Sequence, residues 1–134
     1  SWYKQIRERN SKIVFIAAGV LVYFTEEEVK GLLTNLADEF PGSDFLCEIY
    51  SEKLLEYRNK NIMKRENKSD LLLPMKWGVE SGKVIAGWSE KISLVEQYGF
   101  YSRVPATAEN KSVLRRFYLV NKLGWFRIVH LRLG

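Results

Sequence analysis

The sequence is poor in the residues that most small catalytic sites depend on, with one cysteine and one histidine. A single cysteine excludes an intrachain disulfide and any cysteine cluster able to hold a metal. Cys47 lies in the apolar run Phe45-Leu46-Cys47-Glu48-Ile49, as a buried structural thiol would. A nucleophilic cysteine needs a base beside it. The one histidine, His130, sits inside a C-terminal strand pattern and reads as a strand residue rather than a base. No apolar run approaches the ~20 residues needed to span a bilayer. The opening residues Ser1-Trp2-Tyr3-Lys4-Gln5 lack the basic-then-apolar layout of a secretion signal. Internal repeats and low-complexity linkers are missing as well. These absences lead to the expectation of a soluble, cytoplasmic chain, one domain over residues 1–134, with no metal and no membrane partner.

What is present supports a core. Of 134 residues, 46% are hydrophobic and 28% charged, the balance of a globular chain rather than a disordered one. A chain this long buries roughly two-thirds of the surface it exposes when unfolded. The net charge of +5 raises nucleic acid as a partner. Its cations are scattered, however: Lys4, Arg7, Arg9 and Lys12 at the start, a mixed stretch from Arg58 to Lys68, and Arg115, Arg116, Arg127 and Arg132 near the end. No aromatic-basic motif of the RNA-recognition type occurs. A solvated basic surface is the expectation, and nucleic acid is not an expected partner.

The pattern along the chain is that of an α/β protein. Polar residues Trp2 to Asn10 suit the end of a helix. Lys12-Ile13-Val14-Phe15-Ile16-Ala17-Ala18-Gly19 is a short apolar run ending at glycine, predicting a strand buried on both faces. Thr25 with Glu28 forms a capping box, and Val29, Leu32, Leu33, Leu36, Ala37 and Phe40 recur at helical spacing until Pro41-Gly42. A second strand is predicted over Asp44 to Tyr50, then a helix capped by Ser51 and carrying Leu54, Leu55, Arg58, Ile62 and Met63. Lys64 to Asp70 reads as a polar surface connection. Further on, the pattern predicts a short helix over Lys83 to Trp88, a strand over Ile92 to Tyr98 and a helix from about Val113 to Leu123 ended by Gly124. Trp125 to Leu133 reads as the last strand. Successive strand–helix units imply right-handed crossovers in an α/β sheet.

The phrase Phe15-Ile16-Ala17-Ala18-Gly19-Val20-Leu21-Val22-Tyr23-Phe24-Thr25-Glu26-Glu27-Glu28-Val29 resembles the fourth strand and following helix of the leucine carboxyl and tetracenomycin-type polyketide O-methyltransferases. Phe40-Pro41-Gly42, Lys76-Trp77-Gly78-Val79 and Ile128-Val129-His130-Leu131 continue the resemblance in order. It implies the C-terminal half of a Rossmann-like class I methyltransferase sheet. Its strands would resemble the fourth, fifth, sixth and seventh, with the seventh antiparallel, in a family order of three-two-one-four-five-seven-six. The implied cofactor is S-adenosylmethionine, and the implied reaction is methyl transfer to a carboxylate or hydroxyl of a small-molecule substrate. Two departures accompany it. The sequence has no Gly-x-Gly turn, and the family glutamate after the fourth strand falls on Ala18.

Ligands of open α/β sheets bind outside the carboxyl ends of the strands. By this rule and the resemblance, Ala18, Gly19 and Tyr23 would line the cofactor, while Tyr50 at the next strand end, Arg58 through its fork of donors and Trp77 in an irregular, lid-like segment would face the substrate. Each has a plainer alternative. Gly19 would relieve a turn, Tyr23 and Tyr50 would pack, Arg58 would face solvent, and Trp77 would be core rather than lid. The competing function is a non-catalytic binding or assembly module on a methyltransferase-like half-fold. A strand over residues 13–17 with no neighbour on one side would be an apolar edge, for which homodimerisation is the expectation.

Overall fold

A computed structural model describes residues 2–9, 12–64 and 73–134. The elements run α1 (Trp2–Arg9), β1 (Val14–Ala17), α2 (Glu26–Glu39), β2 (Asp44–Tyr50), α3 (Glu52–Lys64), α4 (Gly82–Ala86), β3 (Ile92–Gly99), α5 (Lys111–Lys122) and β4 (Phe126–Leu133). A 3-10 turn at Leu21–Tyr23 joins β1 to α2. The expected surface connection from Arg65 to Asp70 lies outside the described residues, as do Leu71 and Leu72.

The strands form one mixed sheet in the order β1-β2-β4-β3. β1 and β2 are parallel, and β4 runs antiparallel to both β2 and β3. The last strand in sequence therefore inserts between the second and third. This is an α/β architecture, a mixed four-stranded part of a Rossmann-like sheet with flanking helices.

α2 owes its boundaries to local chemistry. The Thr25 hydroxyl accepts the Glu28 amide at 3.3 Å, and the Glu28 carboxylate accepts the Thr25 amide at 2.8 Å. This closes two of the free donors at a helix start. Hydrogen bonding to the Glu28 carboxyl, first from the Thr25 backbone amide and then from the Thr25 hydroxyl, holds it below its ordinary range. Val29, Leu33, Leu36 and Ala37 are buried, the valine and the two leucines each contributing about 1.5–3 kcal/mol when fully covered. Leu32, expected in the same stripe, is 39% exposed. It lies at the stripe's margin, roughly 80° around the helix from the stripe's centre.

One face of the sheet carries the core. Phe45, Cys47 and Ile49 from β2 and Val129, Leu131 and Leu133 from β4 pack with α2, Trp77, Val79 and Ile85. Burial pushes the Cys47 thiol up to about 12, as suits an inert core thiol. The expectation that β1 is buried on both faces is corrected. Phe15 and Ala17 turn to the core, but Val14 is 50% and Ile16 73% exposed. The strand stands at the sheet edge, and no described element covers its second face.

That second face is polar at its centre. Asp44 accepts from Arg132 Nε at 2.8 Å and lies 2.8 Å from His130 Nε2. In β3, Leu94 pairs with Leu131 and Glu96 with His130, so Val95 has no counterpart in β4. This bulge turns the strand over. Ile92 and Leu94 feed the core, while Glu96 faces the histidine side and accepts from the two terminal guanidinium nitrogens of Arg103 at 3.1 and 2.7 Å.

Candidate functional site

β1 and β2 end side by side, and the chain leaves β1 through Ala18 and Gly19. Gly19 has a φ of +63°, a left-handed conformation that glycine adopts without strain. Its positive φ reorients the chain into the Leu21–Tyr23 turn, which buries Leu21 and Val22 and leaves Tyr23 half-buried. Ala18 and Gly19 are exposed at this strand end.

Glu48 was not among the residues singled out from the sequence. A Cβ placed on Gly19 would lie 3.8 Å from Glu48 Oε2. The register pairs Ala17 with Cys47, and one step further brings Ala18 beside Glu48. The Tyr50 hydroxyl donates to the same carboxylate oxygen at 2.9 Å. Burial first, then the hydrogen bond to Glu48 and its charge, drive the Tyr50 phenol well above its ordinary range. Arg58 opposes that shift and Tyr23 adds to it, so Glu48, Arg58 and Tyr23 all lie within electrostatic reach of Tyr50. The sequence signal for Glu48 was its spacing. Residues 48 and 50 point to the same face of a strand, and the acid lies two residues inside the strand's carboxyl end.

The segment Met75–Val79 crosses these strand ends. Lys76 and Trp77 amides donate to Val22 O at 2.8 and 3.2 Å, and Val79 donates to Tyr50 O at 2.7 Å. Asn59 from α3 grips Met75 through both amide atoms, at 2.9 and 3.1 Å. Gly78 permits this crossing, because a Cβ there would come within 3.1 Å of the Tyr50 carbonyl oxygen. Trp77 is 5% exposed and packs on Trp88 with ring centroids 5.8 Å apart. It therefore occupies the core beneath the crossing segment, the position its packing alternative requires.

Of the residues anticipated from sequence, Ala18, Gly19, Tyr23, Tyr50 and Arg58 gather at the strand ends, and Trp77 does not. Around the exposed turn stand one carboxylate and two phenols, which suit a cationic ligand group, with the Arg58 guanidinium near enough to act on Tyr50. Among the described residues, no group of three or more His, Cys, Asp or Glu side chains could hold a metal ion. No described helix is long and apolar enough to cross a membrane. Two open cavities of about 520 and 450 Å³ flank α5. An aromatic chain links the strand-end site to that helix, from Tyr50 to Phe126 at 5.1 Å and from Phe126 to Phe117 at 6.4 Å.

A partial Rossmann-like α/β sheet, with its candidate site at the strand ends, is the fold that these observations define. No family model matches the chain, and no curated protein matches it. Among solved structures it is similar to a DUF574 family protein from Streptomyces avermitilis, with a TM-score of 0.59 and 11% identity. The likeness covers 98% of this chain and 52% of that one, so this chain spans about half the neighbour's length. At that identity the likeness shows the fold alone.

Proposed function

We propose that this chain forms the acceptor-side half of an S-adenosylmethionine-dependent O-methyltransferase. Its acceptor would be a carboxylate or hydroxyl of a small molecule, of the polyketide or terminal-carboxyl kind. The observation that carries this reading is the sheet order β1-β2-β4-β3 with β4 reversed. It is the four-five-seven-six end of the order that the sequence resemblance implies. The DUF574 neighbour supports the fold alone.

S-adenosylmethionine supplies an activated methyl on a sulfonium, transferred by in-line displacement. This chain's own part is to position ligands and exclude water. In this reading Glu48 provides the carboxylate that Ala18 lacks, one strand over and on the same face. It faces the ligand's ammonium or sulfonium, with Tyr50 holding the carboxylate in place. Gly19 leaves the turn open, and Tyr23 forms a wall. Arg58 orients an acidic acceptor through its planar fork of donors. A carboxylate acceptor is already ionised near neutral pH and needs no general base. The glycine-rich turn and ribose-binding acid of such enzymes have no counterpart among these 134 residues, and in this reading those contacts come from outside them.

The test is a nuclear magnetic resonance titration with millimolar S-adenosylmethionine. Weak binding is expected, with amide shifts centred on Ala18, Gly19, Tyr23 and Glu48 and reduced in Glu48→Gln. Shifts confined to other surfaces, or none at all, would sink the proposal. Tight binding by the chain alone would refute the assignment of the missing contacts to a partner half. The second reading, a non-catalytic assembly module, is favoured by the uncovered apolar face of β1. It predicts self-association without any response to the cofactor.

A further inference from the structure

α5 is the one helix of the described chain that carries several large apolar side chains on its outer side together with cations. Tyr118 is 59%, Leu119 65% and Leu123 61% exposed, and none of the residues of α5 is fully buried. Its inner side is held by aromatic contacts from Phe117 to Phe100 at 5.4 Å and to Tyr101 at 4.7 Å. The exposed residues are therefore surplus to its packing. Beside them lies an open groove of about 520 Å³, lined by Ala106, Lys111, Leu114, Arg115, Tyr118 and Leu119. Lys111 and Arg115 have no ion-pair partner among the described residues. Lys122 adds a third cation, its ammonium 4.7 Å from the centre of the Tyr118 ring.

We propose that this groove binds a soluble anionic amphiphile, a single carboxylate or phosphate head on an apolar chain. The head pairs with Lys111 and Arg115, and the chain lies along Leu114, Tyr118 and Leu119. Charge and shape select this occupant together. At about 100° per residue, the five helical lining residues fall within about 140° of the circumference, with both cations inside the apolar sector. A helix lying on a membrane instead separates a cationic face from an apolar one. Interleaving of the two, in a concave groove, matches a head and tail held side by side. This site is separate from the strand-end cluster, and its existence does not depend on methyl transfer.

The test is a titration with dodecanoate below its micellar concentration, followed by amide shifts. Dodecyltrimethylammonium and acetate serve as the tail-only and head-only controls. Dodecanoate should move the amides of Lys111, Arg115 and Leu119 and saturate, while the cationic analogue and acetate bind at least about tenfold more weakly. Lys111→Glu with Arg115→Glu should weaken dodecanoate about tenfold or more. Leu119→Ser should weaken it without changing the preference for the anion. These side chains are exposed, so the variants keep the wild-type circular dichroism spectrum. Equal binding of the cationic and anionic detergents would overturn the proposal, as would shifts that miss α5. Retention on phosphatidylglycerol vesicles without binding of free dodecanoate would assign the helix to a membrane surface and overturn it as well.

Discussion

Asp44 is 7% exposed, yet it carries a charge, because His130 and Arg132 both reach its Oδ1 atom. The hydrogen bond from His130, followed by Arg132, holds its carboxyl below the ordinary value of 3.8 against the opposing effect of burial. A depressed folded-state value means the unfolded chain takes up the proton first as pH falls. The stabilisation is therefore present above pH 3.8 and is lost as pH drops through the folded-state value. Asp44→Ala should cost about 1–3 kcal/mol at neutral pH, because it strands its partners. Urea midpoints of the two proteins should converge towards acid. A gap that stays constant down to pH 2 would show that the ion pairs are not its source. Gly82 offers a second residue-scale prediction. A Cβ there would sit 2.7 Å from Val129 Cγ1 and 2.9 Å from Leu94 Cδ1. Overpacking at this junction should make Gly82→Ala about 1–3 kcal/mol less stable in the same urea series. Of the strand-end site, Gly19 and Tyr50 were legible from pattern and resemblance. Glu48 was not, since an acid inside an apolar run reveals its contacts only when the neighbouring strand is in place.

Among the elements, α2 was the most legible and β1 the least. The capping box acts between residues three apart, so its chemistry is complete in the local sequence. Thr25→Ala should cost about 1 kcal/mol, read from the urea midpoint. β1 looked like a strand buried on both faces because a continuous apolar run does not reveal what lies above or below it. The structure leaves Ile16 73% exposed on an edge strand. An unpaired apolar edge invites pairing with another chain. Light scattering on the 134-residue chain should show a mass that rises with concentration towards a dimer, and Ile16→Lys should return it to monomer. A wild-type mass that stays monomeric at every concentration would refute association through residues 13–17.

At the scale of the whole molecule, stability hangs on the strand that arrives last. β4 pairs with seven residues of β2 on one side and seven of β3 on the other. It also supplies Val129, Leu131 and Leu133, each 0% exposed, to the core. A chain lacking residues 126–134 should lose its cooperative unfolding transition and the amide protection of β2. A sharp transition in that truncation would mean β1, α2 and β2 fold as a separate unit. The sequence by itself determined the element types, the cap of α2 and the glycine turn after β1. Those features depend on side-chain period and on contacts a few residues apart. Tertiary structure alone decided that β4 inserts between β2 and β3, that Glu48 meets Gly19 and Tyr50, that Asp44 meets His130, and that Trp77 belongs to the core. Each of these depends on which distant strands become neighbours. That follows from burying the whole apolar face at once, which no local stretch of sequence encodes.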